Sequence, residues 1–133
     1  MKRLDIILAE HDAAMRGWLV DVLQPLCGTI EVAGSGWELL LLLADEKPCD
    51  LVISDVRIPL PGGLHSLAMA RAAGVTTPFL VITAHADDAV RGLAKCLRAE
   101  LLDTPFDARQ LAARIDEIVA AKIPLESASG LRG

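Results

Sequence analysis

Short apolar runs alternate with stretches of helical periodicity along the chain. Each run is four or five residues long and rich in residues that favour extended structure, as expected of a β-strand. The run at 29–33 alternates between apolar and polar residues as an edge strand does, whereas the first, third and fourth runs are almost continuously apolar, which is typical of strands covered on both faces. The five predicted strands are 5–9, 29–33, 51–54, 79–83 and 100–103.

The segments between these strands carry apolar residues at the spacing of an amphipathic helix. Asp12 is placed to cap the first helix. Ser35 and Glu38 form a capping box at the start of the second helix, which is predicted to run to about Lys47. The remaining helices are predicted over 64–73, over 86–97, and from Asp107 to just before Pro124.

Strict alternation of strand and helix predicts the architecture. Parallel strands need crossover connections, and right-handed crossovers place helices on both faces of the sheet. We therefore expect an α/β fold with a five-stranded parallel sheet. One domain over residues 1–123 accounts for all of these elements, and the Ser- and Gly-rich segment 124–133 is expected to be a flexible C-terminal tail or the start of a linker.

Composition narrows the class of protein. Hydrophobic residues make up 53% of the 133 residues and aromatic residues only 3%, so aliphatic side chains must fill the core. The net charge of −5, without a run of Lys or Arg, disfavours direct nucleic-acid binding. The longest apolar run, 39–44, is too short to span a membrane, so a cytoplasmic protein is expected. The three cysteines are expected to be buried reduced thiols: Cys27, Cys49 and Cys96.

Polar side chains follow the predicted strands at the edge where ligands of such sheets bind. The carboxylates can supply hard oxygen ligands for Mg²⁺, and an aspartate there can accept a phosphoryl group. Asp55 follows the third strand and is the centre of this predicted site. The other residues that follow strands there are Glu10, His11, Asp12, Thr83 and Thr104.

Four segments in order resemble the receiver domain of bacterial response regulators: 6–12, 50–59, 78–84 and 104–107. The likeness spans about residues 3–122. It implies the flavodoxin-like receiver fold, with strand order 2-1-3-4-5. It also implies a two-component phosphorelay role, in which a histidine kinase or phosphotransfer protein modifies the domain and a downstream protein partner responds to the change. The domain is then a signalling switch and not an enzyme.

The resemblance also implies roles for individual residues. Asp55 is the phospho-acceptor and forms an aspartyl phosphate, and Thr83 is the switch hydroxyl. Mg²⁺ is the cofactor, with Glu10 as a metal-site acid and the backbone carbonyl of Arg57 as a ligand. His11 and Asp12 complete the expected metal set. The family's Lys-Pro-Phe turn, in which the peptide before proline is typically cis, corresponds here to Thr104-Pro105-Phe106.

Three positions depart from the family pattern. His11 stands where the family has a metal-binding Asp, and imidazole suits Mg²⁺ poorly, so we expect weakened binding unless Asp12 compensates. Thr104 stands at the family's Lys position, where a hydroxyl cannot make the cationic contact to phosphate. Leu101 replaces the aromatic switch residue. These departures leave open a pseudo-receiver that signals without phosphorylation, and the acidic residues alone also allow metal-dependent phosphatase chemistry.

Other side chains are candidates for parts of the switch or of interfaces. His85 can orient water near the site, although a solvated loop residue explains it as well. Arg57 can partly replace the missing Lys as a cation. Trp18 on the first helix is either a partner anchor or a core residue. The leucines at 39–43 project around their helix, so some are expected to be exposed, which leaves a homodimer open.

Overall fold

The computed structural model describes residues 3–132, and the side chains of residues 3–121. All five predicted strands are present, and their ends differ from the expected ones by at most two residues. The strands are β1 (Leu4–Ala9), β2 (Cys27–Ala33), β3 (Leu51–Asp55), β4 (Phe79–Thr83) and β5 (Ala99–Asp103). They form one parallel sheet in the order β2-β1-β3-β4-β5. The predicted fold class and strand order are confirmed, and β2 is an edge strand as expected.

Helices connect successive strands as predicted. They are α1 (Ala13–Leu23), α2 (Gly36–Ala44), α3 (Gly63–Ala72), α4 (Asp88–Cys96) and α5 (Ala108–Arg132), and a short 3₁₀ turn (Gln24–Leu26) leads into β2. Asp12 caps α1 as predicted, since its Oδ2 accepts from the backbone N–H of Met15 (2.9 Å). In the capping box at α2, the Ser35 hydroxyl accepts from the N–H of Glu38 (3.2 Å).

Two helix ends differ from the sequence prediction. α2 ends at Ala44 and not near Lys47, because Asp45 already has an extended backbone. The Lys47 amine instead pairs with Glu31 of the edge strand (3.4 Å). The backbone of α5 remains helical past Pro124, since a proline removes one hydrogen bond and can bend a helix without ending it. The flexible tail expected over 124–133 lies outside the residues whose side chains are described.

Alternating strand residues supply two apolar layers, one on each face of the sheet. Ile6 and Leu8 of β1 pack with α1 and α5, whereas Ile7 and Ala9 pack with α2, α3 and α4. The leucines at 39–43 likewise divide between the core and solvent, as predicted: Leu39 is fully buried, whereas Leu41 is 71% exposed. None of the helices in the described part of the chain combines the length and apolar character needed to span a bilayer.

The cysteine prediction is wrong at one position. Cys27 is buried and Cys49 is half-buried, but Cys96 is exposed at the end of α4. The last turn of α4 faces outward there, and only Ala94 of that helix is buried. All three thiols are free.

Gly36 allows the start of α2 to pack on the loop after β3. A Cβ at this position would collide with the carbonyl oxygen of Pro61 and with the Ser66 hydroxyl. The backbone N–H of Gly36 also donates to the carbonyl of Pro59 (2.9 Å), so the helix cannot move away without losing that bond. This contact joins α2 to the loop that follows Asp55.

We expect Gly36→Ala to lower the free energy of unfolding by about 2 kcal/mol or more, because the added methyl group overpacks a rigid backbone contact. Gly17→Ala in α1 is the matched control, since nothing lies within 4 Å of its Cβ position. That substitution should stabilise the protein by about 0.5–1 kcal/mol through helix propensity. Urea denaturation of both variants measures the difference, and equal stabilities would contradict the packing argument.

Candidate functional site

The expected site residues gather at the carboxyl edge of the sheet. Ala9 is aligned with Ser54 in the β1–β3 register, so Glu10 and Asp55, the next residues, are neighbours. Asp55 is in turn aligned with Ile82, which places Thr83 on the adjoining strand.

Backbone hydrogen bonds extend the ladders by one residue beyond the strand ends. The N–H groups of Glu10, Val56 and Thr104 donate to the strand next to them, each at 3.0 Å. The acceptors are the carbonyls of Ala33, Ile82 and Thr83. Secondary structure and not loop conformation therefore fixes the first residues of the site.

Glu10 is the most unusual side chain at this edge. It is only 3% exposed, its Oε1 accepts from the backbone N–H of Asp12 (3.1 Å), and its Oε2 is buried without a hydrogen-bond partner among the described residues. Burial raises the pKa of Glu10 to about 7, and the negative charge of the neighbouring Asp55 adds to the shift. Two carboxyl groups so close need either a shared proton or a cation between them.

The Asp55 carboxylate is held at the rim of the site. Its Oδ1 accepts from the backbone N–H of Arg57 (2.8 Å), which forms a tight turn directly after β3. Gly63 packs closely against the same turn, and a Cβ at this position would collide with the Asp55 carbonyl oxygen. The backbone N–H of Gly63 donates to the Val56 carbonyl (3.0 Å). Asp55 is half-buried, in contrast to Glu10 beside it.

The loop after β1 is fixed by a residue to which the sequence analysis gave no role. The Arg16 guanidinium in α1 donates to the carbonyls of Glu10 (3.1 Å) and His11 (3.4 Å). Its position four residues after the Asp12 cap, and so one helical turn away, is the sequence signal that could have indicated this. The His11 side chain is exposed, and the Asp12 carboxylate caps α1.

Thr83 and Thr104 lie next to each other on the β4 side of the site. Thr83 is buried, and its hydroxyl accepts from the backbone N–H of His85 (3.1 Å). An open cleft of about 470 Å³ lies between His85, Arg91 and Thr104. The Thr104–Pro105 peptide is cis, as predicted, and so is Leu60–Pro61, which was not anticipated.

The remaining expected residues lie farther out. Leu101 packs partly buried against the α2–α4 side of the core, and its carbonyl accepts from Arg114 (3.0 Å). Trp18 is 38% exposed, so it is not a core residue. Its ring packs against Phe106 with centroids 5.8 Å apart and planes tilted by 54°.

The donors fit a divalent cation held by few protein ligands. The described residues contain no group of three or more His, Cys, Asp and Glu side chains that could hold a metal, so the expected five-ligand set does not gather at one point. Mg²⁺ usually keeps several waters and uses only one or two carboxylates. The partnerless Oε2 of Glu10, beside Asp55, is an oxygen that such a cation would satisfy.

Comparison with known proteins agrees with this geometry. The profile of the response regulator receiver domain matches residues 6–116. The chain belongs to this family. It is 30% identical over 118 residues to the alkaline phosphatase synthesis transcriptional regulatory protein SphR of Synechococcus elongatus, covering 82% of this chain and 46% of SphR. It is 32% identical to the response regulator MprA of Mycolicibacterium vanbaalenii, covering 92% of this chain and 53% of MprA. The receiver chain thus spans about half the length of the curated relatives it matches.

Solved structures show the same fold. The signal receiver domain of an HD domain-containing protein from Pseudomonas fluorescens superposes with a TM-score of 0.82 at 23% identity, covering 96% of this receiver and 94% of that chain. The receiver domain of HemR from Leptospira biflexa has a TM-score of 0.79 at 26% identity, covering 88% and 94%. Chemotaxis protein CheY4 of Vibrio cholerae has a TM-score of 0.78 at 22% identity, covering 88% and 99%.

We expect stability without divalent cations to depend on Glu10. Because its pKa is raised from 4.5 to about 7 in the folded receiver, the folded state binds the proton more tightly than the unfolded state does. This group therefore favours folding fully below pH 4.5 and progressively less as the pH rises towards 7. Glu10→Gln should remove that dependence and raise the free energy of unfolding at pH 8 by about 1–3 kcal/mol.

Urea denaturation with a chelator between pH 5 and 8 measures this effect. Glu46→Gln, which removes an exposed carboxylate that forms no ion pair with a described residue, is the control and should leave the pH dependence unchanged. If wild type and Glu10→Gln lose stability in parallel, the two carboxyl groups do not repel each other as described.

Proposed function

We propose that Asp55 accepts a phosphoryl group from a histidine kinase or phosphotransfer protein, and that the modified receiver changes its affinity for a protein partner. The observation that carries the proposal is the pair of Glu10 and Asp55, two adjacent carboxyl groups with a buried oxygen that lacks a partner. Such a pair is unfavourable for stability alone, so its presence favours a role in binding a cation and a phosphoryl group.

In the proposed transfer, the Asp55 carboxylate attacks the phosphorus of a phosphohistidine on the donor. An O–P bond forms, the P–N bond breaks, and the imidazole nitrogen leaves with the electron pair and takes a proton. The Arg57 N–H keeps the carboxylate oriented for this attack through its bond to Oδ1. The Thr83 hydroxyl, at the end of the neighbouring strand, is the group proposed to donate to a phosphoryl oxygen.

Mg²⁺ is the proposed cofactor, with Glu10, Asp55 and the carbonyl of Arg57 as protein ligands and Asp12 close by. When bound, it would neutralise charge on the phosphoryl oxygens and on both carboxylates. Asp12 is engaged as a helix cap, so it offers the ion less than a free carboxylate would. His11 offers a poor ligand for this cation, and we therefore propose a low Mg²⁺ affinity.

The departures at Thr104 and Leu101 affect how the phosphorylated state is stabilised. Thr104 is anchored by its backbone to β4, but its side chain brings no charge to the site. Arg57, two residues after Asp55, is exposed in the adjacent loop and is the residue proposed to supply a cation instead. Leu101 stands in place of an aromatic ring. We therefore propose that the partner recognises the phosphorylated state through the loops that carry Thr83 and His85, and not through rotation of a ring.

The receiver is proposed to work as a switch and not as an enzyme with its own substrate. The relatives SphR and MprA are named as a transcriptional regulatory protein and a response regulator, and each is about twice as long as the matched region. A downstream protein, a second copy of this receiver or an attached domain is the proposed responder. We propose that this signalling takes place in the cytoplasm.

The direct test is incubation with acetyl phosphate or phosphoramidate and Mg²⁺, followed by intact mass spectrometry. We expect a mass increase of one phosphoryl group, and no increase for Asp55→Asn. Asp116→Asn, on an exposed carboxylate of α5 outside the site, is the control and should be modified like the wild type. Failure of both small donors and of a cognate kinase to modify the wild type would refute the proposal.

A second prediction concerns the missing cation. Thr104→Lys should raise the phosphorylated fraction at equal time and donor concentration, because a charge-assisted bond to phosphate adds about 1.5–3 kcal/mol. If that whole stabilisation favours the phosphorylated state, the ratio of phosphorylated to unphosphorylated protein rises roughly 10- to 160-fold. Thr104→Met, which has a long side chain without charge, should show no such gain. Equal phosphorylation of the Lys and Met variants would mean that position 104 does not contact the phosphoryl group.

The phosphorylation-independent alternative rests on the same three departures and makes the opposite prediction. Asp55→Asn would then leave partner binding and signalling intact. Glu10 argues against this alternative, because a docking module has no need for a buried carboxylate beside Asp55. Phosphatase chemistry is the weaker alternative, because position 104 is a threonine and lacks the basic residue that this chemistry would use there.

A further inference from the structure

Exposed apolar side chains are concentrated on one face of the receiver. In the described part of the chain seven large apolar side chains are exposed, and four of these lie on α2, on α3 or in the loop between β3 and α3. They are Trp37, Leu41, Leu60 and Met69, and we call the face that carries them the α2–α3 surface. Monomeric proteins rarely expose large contiguous apolar patches, and such patches commonly mark interaction sites.

A close backbone contact brings two of these side chains together. Gly36, at the start of α2, lies against the Pro61 carbonyl and the Ser66 hydroxyl. Trp37 directly follows Gly36, and Leu60 directly precedes Pro61. Trp37 and Leu60 are therefore attached to neighbouring points of the backbone, and their side chains are 57% and 78% exposed.

The two helices extend this apolar area. Leu41 comes one helical turn after Trp37, so both lie on the outward face of α2. α3 packs beside α2, and its Ser66 contacts the start of that helix. Met69 comes three residues after Ser66, so it lies on the side of α3 that is next to α2. The apolar area thus spans both helices.

The backbone beneath the α2–α3 surface is held by hydrogen bonds. The Gly36 N–H donates to the carbonyl of Pro59 (2.9 Å). The Ser66 hydroxyl donates to the carbonyl of Pro61 (3.1 Å), and its backbone N–H donates to the carbonyl of Gly62 (2.8 Å). A surface that is formed before a partner arrives loses little conformational entropy on binding.

Acidic side chains border this surface on the α2 side. Glu38, Asp45 and Glu46 are exposed on α2 and directly after it. Lys47 is the only cation in that part of the sequence, and it is already paired with Glu31 (3.4 Å) and Asp45 (3.7 Å). Glu38 and Glu46 form no ion pair with a described residue. This border is therefore negatively charged.

The charge favours a basic partner over a second copy of the receiver. A symmetric contact between two copies uses the same patch on both, so the two acidic borders would meet and repel each other. Arg57, in the loop that carries Leu60, does not offset this repulsion, because its backbone is held next to Asp55. A helix with an apolar face and basic flanks matches both the apolar area and its border.

We infer that the α2–α3 surface docks an amphipathic helix of a partner protein, with lysine or arginine on both flanks of its apolar face. The apolar side chains of that helix pack on Trp37, Leu41 and Met69, and its basic residues lie next to Glu38. The Trp37 indole N–H makes no hydrogen bond with a described residue, so it is available to the partner. The docking needs no phosphoryl group on Asp55 and does not depend on the proposed phosphorylation.

The probe is a synthetic peptide of about 18 residues, made of leucine and lysine with the leucines on one helical face. It is added to the full chain labelled with ¹⁵N and followed by two-dimensional NMR. We expect saturable shifts of the Trp37 indole and of the amides of Leu41, Leu60 and Met69. A peptide with glutamate in place of lysine should bind at least tenfold more weakly, and so should one with its leucines spread around the helix. Equal binding of the lysine and glutamate peptides, or shifts confined to other parts of the receiver, would overturn the inference.

A pair of matched substitutions tests whether the peptide uses this surface. Leu41→Gln should weaken binding of the lysine peptide at least fivefold and leave the fold intact, because this side chain is largely exposed. Leu93→Gln is the same change at an exposed leucine of α4 and should bind like the wild type. Unchanged affinity of Leu41→Gln would show that the peptide binds elsewhere.

Sedimentation equilibrium distinguishes a helical partner from a second copy. We expect the wild type to remain monomeric at the concentrations used for the peptide titration. A dimer that Leu41→Gln dissociates would assign the α2–α3 surface to a second copy, and the inference would be wrong.

Discussion

The placement of two carboxyl groups side by side is the constraint on which the site depends. The parallel register of β1 and β3 leaves Glu10 and Asp55 as neighbours at the end of the sheet, and the burial of Glu10 leaves its charge little water to screen it from that of Asp55. Neither side chain can move away easily, because Glu10 is tied through Asp12 to the start of α1 and Asp55 through Arg57 to the next loop. The repulsion is therefore maintained by the fold, and a proton or a cation is what relieves it.

The rest of the fold supplies the stability that offsets the repulsion of this pair. Apolar layers on both faces bury the central strands completely, so the register at the edge is as fixed as the core itself. Arg16 holds the first loop from α1, and Gly63 allows the loop after Asp55 to lie against its backbone. The site thus takes its geometry from strand ends and not from flexible loops, which is how a receiver can keep acidic groups in place before any ligand arrives.

The sequence was informative where one physical rule dominates. Continuous apolar runs located β3 and β4, and the cap of α1 followed from Asp12 alone. It was less informative where two rules compete for one residue: Asp12 was expected both to cap the helix and to bind metal, and the structure confirms the cap, whereas the metal role stays a prediction. Cys96 was expected to be buried because free cysteines usually are, but it lies on the outward face of α4 and is exposed. Arg71 gave no signal, because its sequence context is that of a solvated arginine, and only the fold brings four backbone carbonyls to its guanidinium.

Charge is distributed unevenly between the two ends of the sheet, and this difference bears on how the receiver can be controlled. The carboxyl edge concentrates acids around Asp55, whereas at the amino ends of β4 and β5 no described carboxylate forms an ion pair with Arg71, Lys95 or Arg98. Each end therefore holds a local excess of one sign that the fold itself does not neutralise. β4 and β5 connect them directly: Phe79 and Ala99 begin strands that end at Thr83 and Asp103, next to Thr104. A cation and a phosphoryl group at the carboxyl edge would therefore act on strands whose other ends lie among charges of the opposite sign.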